Sequence, residues 1–136
     1  MNATPAPDIV VAARFNGPAR SGNGGYVSGL VAATLSGANA VPVTVTLRLP
    51  PPLDTPMRVS PEGTQVRVFD HDRLVAEAVY GTFSASPPDP VDPEVAEASP
   101  PCYAAAEDHP FPSCFACGID REPGDGLRVF PGSVDG

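Results

Sequence analysis

Cys102, His109, Cys114 and Cys117 place four metal-type ligands in the pattern C-x6-H-x4-C-x2-C. Thiolates and imidazoles are the groups that hold Zn²⁺ tetrahedrally. They sit on an acidic, proline-rich stretch with little core of its own, where a bound metal would contribute most to folding. Two other readings stand beside zinc: ordinary thiols, and a redox pair at Cys114-Phe115-Ala116-Cys117. A second cluster, Gly22-Asn23-Gly24-Gly25, is glycine-rich without matching a nucleotide motif. Val27 occupies the third glycine position of a dinucleotide fingerprint, and a chain without lysine has no P-loop. No Gly-x-Ser-x-Gly is centred on Ser28. His71, between Asp70 and Asp72, reads as a solvated turn residue.

Charge divides the chain in two. Residues 1–86 carry six acids and six arginines, whereas residues 87–136 carry ten acids and two arginines, and with them the whole net charge of −8. That balance argues against a general nucleic-acid or anionic-membrane binder. No apolar run is long enough to span a bilayer. The first residues, MNATPAPDIVV, lack the basic start and apolar stretch of a signal peptide. An odd cysteine count does not suggest a secreted disulfide framework. The cytoplasm is the expected location. With 19 prolines and 13 glycines in 136 residues, long helices cannot fill the chain.

The elements that position these residues follow from periodicity. Residues 9–16 read as a strand ended by Gly17-Pro18. Between Tyr26 and Ser36, Val27, Leu30, Val31, Thr34 and Leu35 fall at helical spacing, with Asn23 as N-cap and Gly37 as the stop. No charge lies between Arg20 and Arg48, so this helix is expected to be central and enclosed on most sides. Residues 41–49 alternate, with Val41, Val43, Val45, Leu47 and Leu49 on one face. Strands over 57–60, 64–70 and 74–83 follow, separated by turns at Glu62-Gly63 and Asp70-His71-Asp72. One core is expected from Leu30, Val31, Leu35, Val43, Val45, Leu47, Val66, Val68, Leu74, Ala76 and Ala78. Residues 87–113 read as a stiff, extended linker, and 114–136 as a new start with a short strand at 127–130.

A strand, a central helix begun at Gly-Gly and an antiparallel sheet wrapped around it resemble the hotdog fold, an α+β architecture. Asn23-Gly24-Gly25-Tyr26-Val27-Ser28-Gly29-Leu30 resembles the helix start of hotdogs of the acyl-CoA thioesterase II type. Val43-Thr44-Val45-Thr46-Leu47-Arg48 resembles the strand that follows. Cys114-Phe115-Ala116-Cys117-Gly118, with Pro123 and Gly126-Leu127, resembles the opening of hotdog thioesterases of the phenylacetate-pathway type. Two such openings resemble a double hotdog: a domain over 8–86, a linker over 87–113, and the start of an incomplete second hotdog over 114–136.

The resemblance implies acyl-CoA or acyl-carrier thioesters as partners, with Gly24, Gly25 and Tyr26 binding substrate at the helix start. Unpaired N–H groups there can stabilise charge developing on a carbonyl oxygen. Glycine lets backbone and ligand approach closely; the competing reading is that the two glycines only allow tight helix–sheet packing. Hotdog thioesterases usually place an acid on or facing this helix. Tyr26–Ser36 has none, and Asn23, the one weak catalytic candidate, can orient water but cannot take its proton. The chain is therefore expected to be a thioesterase-like protein acting on or binding acyl-CoA or acyl-carrier thioesters, active only with a second domain or subunit and showing little or no turnover alone. A non-catalytic module for acyl thioesters or a protein partner is the alternative. Homodimerisation, or pairing with a second hotdog domain, is expected.

Overall fold

The computed structural model describes residues 8–35, 41–99 and 109–131. It is an α+β arrangement: a four-stranded antiparallel sheet with one helix packed against it. The strands are β1 (Val43–Leu47), β2 (Arg58–Glu62), β3 (Gln65–Asp70) and β4 (Arg73–Tyr80), in spatial order β1-β4-β3-β2. Helix α1 (Gly24–Ala33) lies against β1 and β4, and a second short helix, α2, spans Pro93–Ala98.

Two hairpins build the sheet, and their turn residues explain them. Gly63 adopts φ +63° between the paired residues Glu62 and Gln65, the left-handed conformation that a two-residue connection requires. His71 does the same at φ +55° between Asp70 and Arg73, so the solvated corner also carries backbone strain. Cross-strand register then sets one face. Val45 lies opposite Ala78, Ala78 opposite Val66, Ala76 opposite Val68, and Val68 opposite Val59. Those residues form the sheet's share of the core, onto which Val27, Val31 and Leu35 close.

The core differs from the periodic expectation at three points. Val31, Leu35, Val66, Val68, Ala76 and Ala78 are buried, and Leu30, Val43 and Val45 are partly buried against them. Leu74 is displaced by a β-bulge: Val68 faces Ala76 but Phe69 faces Leu74, leaving Val75 as the extra residue. The bulge turns Val75 inward, where it is buried, and puts Leu74 out of phase. Leu47, on the core face by register, is 36% exposed because it forms the wall of a cleft. Ile9, Val11, Val27, Met57 and Val59 complete the core.

Other elements differ too. The expected strand over 9–16 shrinks to a single bridge between Ile9 and Met57, followed by a short 3-10 turn at Ala13–Phe15. The Asp54 carboxylate accepts the Ala13 N–H at 2.9 Å and draws the chain out of the sheet. Helix α1 has ten residues and ends before Ser36; Gly37, its expected stop, lies outside the described residues. Only Val27 and Val31 are buried within it, while Gly24, Gly25, Gly29 and Ala33 are exposed. One face is enclosed, and the central, enclosed hotdog helix is not evident. The linker is not wholly extended, because Asp92 caps α2 by accepting the Glu94 N–H at 2.9 Å with Pro93 at a position that lacks a donor without loss.

Candidate functional site

The start of α1 is built from local chemistry. The Asn23 backbone N–H donates to the Phe15 carbonyl at 2.8 Å, and the Gly22 N–H to the Pro51 carbonyl at 2.9 Å. Asn23 Oδ1 accepts the Tyr26 N–H at 3.1 Å, the N-cap bond the sequence predicts. The first intrahelical bond, from Val27 N–H to Asn23 carbonyl, is 2.9 Å. The N–H groups of Gly24 and Gly25 stand ahead of it, among the donors that no helix can satisfy internally. No acidic residue lies in the first turn, so nothing within α1 neutralises the positive end of its dipole.

An open cleft of about 510 Å³ lies beside this helix start. Pro18, Ser21, Gly22 and Gly24 line one side, and the segment from Leu47 to Pro51 lines the other. Its wall is mostly apolar, with Arg48 as the charged member. Arg48 is already engaged: its guanidinium donates through two nitrogens to Glu77 Oε1, including a 2.9 Å bond from Nε. Glu77 is thus a carboxylate reached through a cleft residue, but it is committed to that ion pair.

The two glycines are not there for packing. A Cβ on Gly24 would meet only Leu47 Cδ1 at 3.6 Å, and one on Gly25 only Asn23 Oδ1 at 3.5 Å, both ordinary contacts. Gly22 is different. A Cβ there would fall 2.7 Å from Val27 Cγ2 and 3.1 Å from Val11 Cγ1, inside the core. The tight approach between the loop before α1 and the core at Val27 and Val11 is carried by Gly22, a residue whose part is not visible in the local sequence.

The segment 109–131 packs on its own chain beside this helix start. Phe115 N–H donates to the Asn16 carbonyl at 2.7 Å. Tyr26 stacks on Phe15 with centroids 4.0 Å apart, and Phe115 meets Phe15 edge-on at 4.9 Å. Arg121 fastens the segment through the Arg14 carbonyl at 2.7 Å, the Ser113 carbonyl at 2.9 Å, Asp125 Oδ2 at 3.1 Å, and Asn16 Oδ1. Asn16, 5% exposed, also donates to Ser113 Oγ at 3.0 Å. Neither residue has a local signature that marks it, since their contacts are about a hundred positions apart in sequence. No strand forms over 127–130; instead Leu127 and Val129 donate to the Phe115 and Ala116 carbonyls at 2.9 and 2.8 Å.

The cysteine cluster is met only in part. Cys102 lies outside the described residues, and His109 Nδ1 accepts the Phe111 N–H at 3.0 Å. Among the described residues no three His, Cys, Asp or Glu side chains converge as a metal would require. Cys114, 5% exposed, instead joins the helix start: Asn23 Nδ2 donates to its Sγ at 3.7 Å. Burial pushes the Cys114 thiol up, but the N–H groups of Cys117 and Ala116, the Cys117 thiol and the Asn23 amide together hold it below the ordinary thiol value. Asn23 thus joins two sites, with its oxygen on the helix and its nitrogen on a sulfur.

Comparison with protein-family models, curated proteins and solved structures finds no match for this chain. Among the described residues no helix is long and apolar enough to cross a membrane.

Proposed function

We propose that this chain is a hotdog-type domain that binds acyl-CoA or acyl-carrier thioesters at the start of α1, thioesterase-like in its site but without a general base of its own. The observation that carries the reading is the glycine pair: Gly24 lines the cleft, Gly25 follows it in the first turn of the helix, and packing asks for neither glycine. A helix start with no acid in its first turn stabilises negative charge on a thioester oxygen. The apolar cleft wall at Leu47, Leu49 and Pro50 suits an acyl or pantetheine chain. Turnover needs a general base that accepts a proton from water, in hotdog thioesterases usually a carboxylate. Asn23 has none, and Glu77 is held by Arg48.

Pairing belongs to the same reading. Among the described residues β1 bonds to β4 on one side only, and its other edge is open to a like strand. The exposed face of α1, with Gly25, Gly29 and Ala33 four residues apart, is small and uncharged, the surface that a second helix covers closely. A second hotdog unit, as another copy of the chain or another domain, fits both features.

The test is amide NMR with a non-hydrolysable acyl-thioether analogue of CoA, alongside a colorimetric thiol-release assay over several acyl lengths. The expected result is shifts centred on Gly24, Gly25 and Tyr26, with little or no thiol release. An unperturbed helix start at saturating analogue, or rapid release abolished by Asn23→Ala, contradicts the reading.

A further inference from the structure

The Cys-Phe-Ala-Cys-Gly loop holds chemistry that thioester binding leaves unused. Cys114 and Cys117 stand at the ends of one turn, closed by the Gly118 N–H on the Cys114 carbonyl at 2.7 Å. The Cys117 side chain is hydrogen-bonded to Cys114, so the two sulfurs are within reach of each other. The turn has no slack. A Cβ at Gly118 would lie 2.5 Å from both the Cys114 and Pro112 carbonyl oxygens. Around Cys114 Sγ the neighbours are donors: two backbone N–H groups, the second thiol and the Asn23 amide at 3.7 Å. A sulfur ringed by donors is set up to carry negative charge. A four-ligand metal centre needs more partners than converge here among the described residues, whereas a disulfide needs only the two sulfurs.

We infer that Cys114 and Cys117 form a two-electron dithiol–disulfide site whose reaction partner is a small-molecule disulfide of the glutathione class. Cys117 is the more exposed of the two and meets the small disulfide first. Its thiol releases its proton to water and the thiolate attacks, forming a mixed disulfide and expelling one small thiolate, which takes up a proton. Cys114 then releases its own proton and attacks the Cys117 sulfur, expelling the second thiolate, which is protonated in turn. Two protein thiols are oxidised, one small disulfide is reduced, and the two protons end on the two small thiols. Oxidation also turns the sulfur that accepts from Asn23 Nδ2 into a disulfide sulfur, and the Oδ1 of the same amide caps α1. The redox state of the loop thereby reaches the start of the helix.

The experiment equilibrates the full chain in buffers of varied reduced-to-oxidised glutathione ratio, blocks free thiols after an acid quench, and maps peptides by mass spectrometry. One two-electron transition is expected, giving a Cys114–Cys117 link while Cys102 remains a free thiol. Cys102→Ser should leave that transition in place, and Cys114→Ser should halt at a mixed disulfide on Cys117. A link involving Cys102, a link between chains, thiols that stay reduced at every ratio, or stoichiometric zinc that shields both cysteines overturns the inference. No acyl ligand enters this measurement, so its outcome is independent of thioester binding.

Discussion

Replacing Gly24 with alanine separates a binding role from a packing role. In the folded chain the added Cβ sits 3.6 Å from Leu47 Cδ1, an ordinary contact, so no steric cost arises. Alanine restricts the unfolded chain and favours helix, and Gly→Ala at a compatible site stabilises by about 0.4–1 kcal/mol. For a chain of this size that is a rise in Tm of roughly 2–5 °C. The matched control is Gly22→Ala. Its Cβ enters at 2.7 Å from Val27 Cγ2, and overpacking of that kind costs about 1–3 kcal/mol. The two variants should therefore differ by roughly 1.5–4 kcal/mol, in opposite directions from the parent. Thermal unfolding by circular dichroism measures this, and titration with the acyl-thioether analogue measures binding on the same samples. Gly24→Ala should be the more stable protein and the poorer binder, because its methyl group occupies the approach to the helix start. A Gly24→Ala protein as destabilised as Gly22→Ala would refute the argument and return the glycine pair to packing. An unchanged affinity would move the site elsewhere.

Four further outcomes follow from the same structure. Asn23→Ala removes the cap on the Tyr26 N–H and the donor to Cys114 together, and should lower stability by about 1–2 kcal/mol in chemical denaturation. Val27→Ala empties a fully buried position in α1 and should cost about 2–3 kcal/mol by the same assay. Gly118→Ala forces a Cβ into two carbonyl oxygens, so hydrogen exchange at the Phe115, Leu127 and Val129 amides should accelerate while β3 and β4 stay protected. The depressed Cys114 thiol gives a pH signature. Below its folded pKa the thiol is protonated in both states, and between that value and the higher unfolded value only the unfolded chain keeps the proton. Stability therefore rises with pH across that window, so the Tm advantage over Cys114→Ser should grow as pH rises toward the ordinary thiol value of 9.0 and fade as pH falls through the lower folded value.

The sheet was largely legible because its signals are local. Gly63 and the Asp70-His71-Asp72 corner announce two-residue turns, and the valines between them alternate with the period that the pairing demands. Leu74 shows where that logic stops. A bulge inserts one residue, the alternation slips, and Val75 takes the buried place, a shift that strand composition does not encode. The strand over 9–16 was lost for a similar reason, since Asp54, far along the chain, captures the Ala13 N–H. For α1, absence of charge predicts enclosure, yet glycine and alanine leave a face that is uncharged and exposed in this chain. The Asn23 cap was readable from one residue and its neighbours. Its bond to Cys114 spans 91 positions, and nothing in either local stretch points to the other.

Two of the bonds that hold the segment 109–131 in place, made by Arg121 and the Phe115 N–H, grip main-chain oxygens, those of Arg14 and Asn16. A carbonyl is the same group in every amino acid. These two bonds therefore read the path of the polypeptide: exchanging Arg14 gives up its 3.1 Å ion pair with Asp125, yet Arg121 still finds the main-chain oxygen wherever the 3-10 turn is kept. What they do not forgive is a change of course. A single residue inserted between Ala13 and Asn16 moves those oxygens out of step with a guanidinium fork of fixed geometry, and the fastening fails although every contacting residue type is still present. At Arg14 this part of the fastening depends on chain length, while at Asn16, whose side chain meets both Arg121 and Ser113, it depends on residue type as well.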